Sequence, residues 1–168
     1  MKFTIRPIKE SDAEKFEFGF KAQGWSKPAD QYRRYFREQC QGARRVFVAE
    51  HEGQVLGYLT LVKEAGAGPF MGKEIPEIAD FNVLKDYQCH GVGSALMDAV
   101  EAYAFTFSDE VCLGVGLHMG YGSAQRMYVK RGYVPDGSGV WYRDRRPDEM
   151  EPVCNDDALI LYLSKKLR

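Results

Sequence analysis

The chain has 168 residues, 45% hydrophobic and 28% charged, with a formal net charge of −1. That is enough for one domain with a proper core, and the profile is that of a soluble globular protein. The near-neutral balance makes no electrostatic case for nucleic acid, which favours a clearly basic face. No apolar run approaches a membrane span, and charges interrupt the opening "MKFTIRPIKESD" before a signal-peptide core forms. The expected location is the cytoplasm. Cys40, Cys89, Cys112 and Cys154 form no C-x-x-C pair and the histidines show no ligand spacing, so free thiols and no metal site are expected.

In chain order, "KFTIRP" predicts a short strand closed by Pro7, and "ESDAEKFEFGFKAQG" a helix capped by Ser11 or Asp12 and ended by Gly24. After the loop "GWSKPAD", Pro28 suits the first turn of a second helix, "PADQYRRYFREQCQG", ended by Gly42. "RRVFVAE" and "VLGYLTLVKE" are β-rich runs joined by the hairpin signal "HEGQ". The glycine-rich "AGAGPFMGK" predicts a mobile loop, and "PEIADFNVL" the next strand. Apolar residues at Val92, Leu96, Val100, Tyr103 and Phe107 follow helical spacing. "EVCLGVGL" predicts a buried strand, and "SAQRMYVKRGY" a short helix with Ser123 as N-cap and Gly132 at its end. "GVWYRD" and "ALILYLSKKL" close the chain as strands. The order β-α-α-β-β-β-α-β-α-β-β predicts an α/β (α+β) fold: a mixed sheet of about seven strands with about four helices on its faces.

"YQCHGVGSALMDAV" places Gly91 and Gly93 at a strand–helix junction. The first N–H groups of a helix lack intrahelical partners and carry partial positive charge, and glycine lets a phosphate approach them. Gly91, Val92, Gly93 and Ser94 therefore suit a pyrophosphate, although a tight turn needing glycine only for its dihedrals explains the pair equally well. Gly93 is followed by Ser94-Ala95, which excludes a P-loop, and a dinucleotide fingerprint would need a glycine where Leu96 stands.

The remaining pattern, Q-x-x-G-x-G at Gln88, Gly91 and Gly93, resembles the acetyl-CoA pyrophosphate loop of the GNAT superfamily of N-acetyltransferases. "FTIRPIKESDAEKF" is similar to the family's opening strand and helix, "SAQRMYVKRGYVPDG" to its A-x-x-x-Y-x-x-x-G-[FY] helix, and "ALILYLSKKL" to its closing strand. The resemblance covers nearly the whole chain. Where the family often has Asn, three residues before Ala124, Tyr121 stands.

The resemblance implies a single domain over residues 1–168, with a mostly antiparallel twisted sheet. It implies acetyl-CoA as cosubstrate, an amine acceptor, direct attack on the thioester, and a homodimer through free sheet edges as an open expectation. Gln88, Cys89, His90, Gly91, Val92, Gly93 and Ser94 would form the cofactor loop, with Asn82 and Val83 pairing with pantetheine amides and the Phe81 N–H serving the oxyanion. Tyr128, one helical turn after Ala124, would donate to the leaving thiolate; a core tyrosine fits the same spacing. Glu77 or Asp80 would act as base, or relay through water. Strand alternation puts these two on opposite faces unless a bulge intervenes. On the acceptor side, Trp25 and Trp141 could wall a pocket, and Asp30, Asp144 or Asp148 attract a cationic amine; loop packing explains each as well. A non-catalytic acyl-CoA sensor is the alternative function, since it needs the loop but no acid or base.

Overall fold

A computed structural model describes residues 2–168. Their elements are β1 (Thr4–Pro7), α1 (Asp12–Ala22), α2 (Ala29–Cys40), β2 (Arg44–His51), β3 (Gln54–Val62), β4 (Glu77–Val83), α3 (Val92–Phe105), β5 (Glu110–Gly116), α4 (Gly122–Lys130), β6 (Val134–Tyr142) and β7 (Leu159–Lys166). The chain divides into two units: residues up to Val62 with Ala79–Tyr103, and Lys63–Ile78 with Ala104–Arg168. The elements make up a seven-strand, mostly antiparallel sheet with four helices, the architecture the sequence pattern predicts.

In the first unit the sheet order is β1-β2-β3-β4. β1 pairs antiparallel with β2, and β2 with β3 through the Glu52–Gly53 turn. Both turn residues have positive φ, 49° and 81°, which matches the strand twist of a two-residue hairpin. A Cβ on Gly57 would lie 2.7 Å from the Asn82 carbonyl oxygen and 2.9 Å from Val83 Cα, so the bare glycine lets β3 and β4 approach this closely. α1 and α2 bury Phe16, Phe20 and Tyr32 with Tyr58 of β3. Their rings lie 4.7 Å apart for Phe16–Tyr32, 5.1 Å for Phe16–Tyr58 and 5.2 Å for Tyr32–Tyr58, within the range of favourable aromatic pairs.

Charge closes the other end of this core. Asp12 is fully buried, yet its carboxylate accepts from Arg6 at 2.7 and 2.8 Å and from the Lys9 N–H at 2.8 Å. Ser11 occupies the N-cap position without a side-chain cap bond, and Asp12, the first helical residue, bonds back to the Lys9 N–H ahead of the helix. Pro28 stands at the N-cap of α2, just ahead of its first turn.

In the second unit, Glu77 and Ile78 of β4 pair in parallel with Cys112 and Leu113 of β5. β5 and β6 flank β7, both antiparallel to it. Ala65, Phe70, Cys112 and Tyr162 form the core here. The glycine-rich segment, expected as a mobile loop, contains a one-turn 3-10 helix at Gly68–Phe70 whose Phe70 ring is buried against Tyr162.

Three boundaries differ from the sequence pattern. α4 begins at Gly122 with Tyr121 as N-cap, so Ser123 lies inside the helix; no side chain caps it. β6 starts directly after Tyr133 and carries an irregularity between Pro135 and Val140 that periodicity does not reveal. α3 ends at Phe105, leaving Phe107 outside it and exposed, and the buried stripe runs through Val92, Leu96, Val100 and Ala104. Among the described residues no helix is long and apolar enough to cross a membrane.

Candidate functional site

The turn into α3 belongs to the first unit. A 3-10 turn at Lys85–Tyr87 leads from β4 to Gln88, whose side-chain amide donates to the Val83 carbonyl at 3.1 Å and so ties the loop to the end of the strand. Cys89 and Gly91 both have positive φ, 60° and 83°. The His90 ring bonds the Gln88 carbonyl at 2.6 Å, which spends one ring nitrogen on holding the loop. The Gly91 carbonyl accepts from the Ala95 N–H at 3.0 Å, so the first turn of α3 opens here. A Cβ on Gly91 would meet nothing within 4 Å: the protein needs glycine there for its dihedral, and the space outside is open. By helix geometry the N–H groups at this end have no intrahelical acceptor.

β4 leads into this turn with a change of register. The Cys112 N–H donates to the Pro76 carbonyl at 2.9 Å, whereas the Leu84 N–H donates to the Leu56 carbonyl of β3 at 2.9 Å. Successive residues of a regular strand face alternate edges, so two even-numbered positions cannot bond opposite neighbours without an extra residue between them. β4 therefore contains the bulge that strand alternation left open. Because Leu84 faces β3, Asn82 shares that edge, while Val83 and Phe81 turn their main-chain groups the other way. The main-chain groups of Asn82 thus face β3, and its side chain bonds within the first unit.

That side chain reaches Asp80. Asn82 Nδ2 donates to Asp80 Oδ1 at 2.8 Å. Oδ2 accepts from the Tyr58 hydroxyl at 2.6 Å, the Tyr35 hydroxyl at 3.0 Å and the Gln31 amide at 3.1 Å. Lys27 Nζ lies 3.7 Å from Oδ1 and donates to the Tyr58 hydroxyl at 3.2 Å. Burial together with the Asp80 charge pushes the Tyr35 phenol up to about 12 and Tyr58 well above the usual tyrosine value. Both phenols are held neutral, as donors. Gln31, Tyr35, Tyr58 and Lys27 are absent from the sequence-based candidates. Gln31 and Tyr35 do stand four apart on one helix face, a visible spacing, but nothing in the sequence says that this face meets Asp80.

The second unit holds the other candidates. Glu77 opposes Cys112 on β5, and its charge adds to burial in pushing the Cys112 thiol and the Tyr162 phenol each up to about 12. Tyr128 is buried on α4, its ring 5.7 Å from that of Tyr133. Burial, reinforced by Tyr121, raises its phenol well above the usual value. Trp141 donates to the Ser138 hydroxyl at 2.8 Å and packs edge-on against Tyr162. Two of the expected acceptor residues are already engaged: Trp25 stacks on Phe20 at 5.9 Å, and Asp30 pairs with Arg33 at 2.6 Å. Asp144 lies in the left-handed region and the Asp148 N–H bonds Glu151.

Residues 7–133 match the model of the acetyltransferase (GNAT) family, and the chain belongs to that family. It is an acyltransferase that takes acetyl-CoA as cosubstrate and acetylates amine acceptors. A search among curated proteins finds no match. Among solved structures, an N-acetyltransferase from Staphylococcus aureus Mu50 superimposes with a TM-score of 0.72 at 15% identity, covering 100% of both chains. A spermidine N-acetyltransferase chimera built from the Vibrio cholerae enzyme and hSSAT gives 0.70 at 16% identity, over 99% of this chain and 96% of that one. A protein from Salmonella typhimurium, solved with its cofactor acetyl-CoA, gives 0.71 at 14% identity, over 100% and 95%. At these identities the likeness concerns the fold.

The Asp80 cluster makes a direct prediction about stability. Asp80→Ala removes the acceptor of the fully buried Tyr58 hydroxyl. An orphaned buried donor costs about 1–3 kcal/mol, so the urea midpoint should fall with the m-value unchanged. A midpoint equal to wild type would show that the cluster contributes nothing to folding.

Proposed function

We propose that the chain moves an acetyl group from acetyl-CoA to a primary amine by direct attack within a ternary complex. The observation that carries this reading is the turn into α3. There the first turn of α3 opens at Gly91 beside open space, with Gln88 tying the turn to β4, and the N–H groups at a helix start lack intrahelical acceptors. Main-chain donors of Gly91, Val92, Gly93 and Ser94, approached through the Cys89–His90 turn, would hold the pyrophosphate. Past Ile78, the last β4 residue in register with β5, Val83 and Phe81 face away from β3. Val83 would pair with the pantetheine arm and the Phe81 N–H would meet the developing oxyanion.

The reaction needs a proton taken from the ammonium, a donor for the oxyanion, and relief of charge on the leaving sulfur. For the first we propose a carboxylate of β4, with Asp80 favoured because a cation of the chain itself already sits against it. For the last we propose Tyr128. Its phenol is raised well above an ordinary thiol's value, so the proton stays on oxygen and stabilises the thiolate as a hydrogen bond. A sensor without turnover would need neither group.

Three measurements examine this reading. Gly91→Val places a branched residue at φ 83° and side-chain atoms in the open space beside the helix start. Calorimetry should show acetyl-CoA binding lost while the circular-dichroism spectrum persists; unchanged affinity would remove the loop from the cofactor site. Asp80→Asn should depress turnover at neutral pH and recover part of it at high pH, where free amine is plentiful, with Glu77→Gln as the comparison. A pH profile untouched by either change, or by both together, places the proton acceptor elsewhere. Tyr128→Phe keeps the ring and deletes the hydroxyl: kcat should fall by roughly 10²–10⁴-fold, the usual range for a positioned acid. Retention of wild-type kcat would take Tyr128 out of the chemistry, whereas absence of turnover in the wild type itself would favour the sensor.

A further inference from the structure

The first unit carries an arrangement that acetyl transfer leaves unexplained: an ammonium of the chain itself lodged beside Asp80. Lys27 lies in the segment between α1 and α2, outside any helix or strand. Its Nζ is 5.6 Å from the centre of the Phe20 ring and 5.8 Å from that of Tyr58. It donates to the Tyr58 hydroxyl at 3.2 Å and lies 3.7 Å from Asp80 Oδ1. Two aromatic faces, a hydroxyl and a carboxylate converging on one cation are the chemistry that recognises an ammonium, and each ring is within the roughly 6 Å at which its quadrupole acts.

Asp80 does not depend on Lys27 for its hydrogen bonds. Tyr58, Tyr35, Gln31 and Asn82 already donate to its two oxygens at 2.6–3.1 Å. The Lys27 contact is the longest of the set, and its side chain remains 22% exposed. Its backbone belongs to no ladder or helix, so withdrawal breaks no regular hydrogen bonding. The cation is thus a removable occupant of a box that others build.

We propose that Asp80, Tyr58 and Phe20 form the subsite for the acceptor's ammonium and that Lys27 occupies it as a tethered competitor. The acceptor is then a primary ammonium ending an unbranched alkyl chain, because the ammonium held by these rings in the structure is one that ends a lysine's alkyl chain. The assignment rests on the reading of the chain as an N-acetyltransferase with its working carboxylate on β4. It adds the identity of the cation site, the shape of the acceptor and a built-in competitor for it.

The test uses n-butylammonium as probe and needs no turnover. The side-chain amides of Asn82 and Gln31 touch Asp80 and report the box in a 1H–15N NMR titration of the full chain. A site that its own lysine fills for most of the time binds at least about twofold more weakly than the vacant site. Lys27→Met should therefore lower the half-saturation concentration at least about twofold relative to wild type, and Lys27→Gln, which also removes the charge, should do the same. Butylammonium should leave both amide signals still in a Lys27→Met, Asp80→Asn double variant. Equal half-saturation in wild type and both single variants would overturn the competitor. Failure of butylammonium to move either amide in any of them would overturn the subsite. Loss of acetyl-CoA binding in calorimetry would instead strike the N-acetyltransferase reading, while the amide titration still judged the box.

Discussion

A carboxylate withdrawn from water must find compensation, and Asp80 finds it from every element around it. Charge in a poorly solvated place is costly unless paired and hydrogen-bonded. Here the donors come from α2 through Gln31 and Tyr35, from β3 through Tyr58, and from β4 itself through Asn82. The aromatic core beneath, Phe16, Phe20, Tyr32 and Tyr58, gives these donors fixed positions. The group that draws donors from α2, β3 and β4 is therefore also the carboxylate that we propose meets a cationic substrate.

Even-numbered residues at the two ends of the same strand bond opposite neighbours because its register changes. Pro76 bonds toward β5 and Leu84 toward β3, and the irregularity between them turns Phe81 and Val83 outward. A perfectly regular strand would present the opposite set of main-chain groups to a ligand. Bulges commonly re-aim groups beside active sites, and this one determines which N–H groups face outward, among them the Phe81 N–H proposed for the oxyanion. The loop that follows is then held by Gln88 against the Val83 carbonyl, so the register of β4 and the placement of the α3 N-terminus are linked.

The second unit also holds its buried phenols, and a thiol, neutral. Burial dominates at Cys112, Tyr162 and Tyr128, and neighbouring negative charge adds to it for the first two. The consequence is a set of neutral donors rather than a set of reactive anions. A neutral phenol suits charge developing on sulfur, and a thiol held near 12 is no nucleophile at ordinary pH. Cys89, although exposed, is a loop residue with positive φ, and the direct transfer proposed above needs no covalent intermediate.

Periodicity and turn chemistry in the sequence determined the order of the elements, the hairpin at Glu52–Gly53, the glycine endings of α1 and α2, and the motif that marks the family, because each depends on residues close together in the chain. The Gln88–Ser94 loop was legible for the same reason. What only the tertiary structure decided lies between distant segments. Asp80 stood out as a strand carboxylate, but its partners Lys27, Gln31, Tyr35 and Tyr58 are 22–53 positions away, and no local pattern says which helix face will meet it. The β4 bulge escaped as well, since one residue of register changes no composition, and Phe70 was hidden in a glycine-rich run whose sequence resembles a free loop. Local rules fix dihedrals and periodicity; the pairing of buried charge with its donors is settled only when remote segments pack, because its energy depends on the solvent that packing removes.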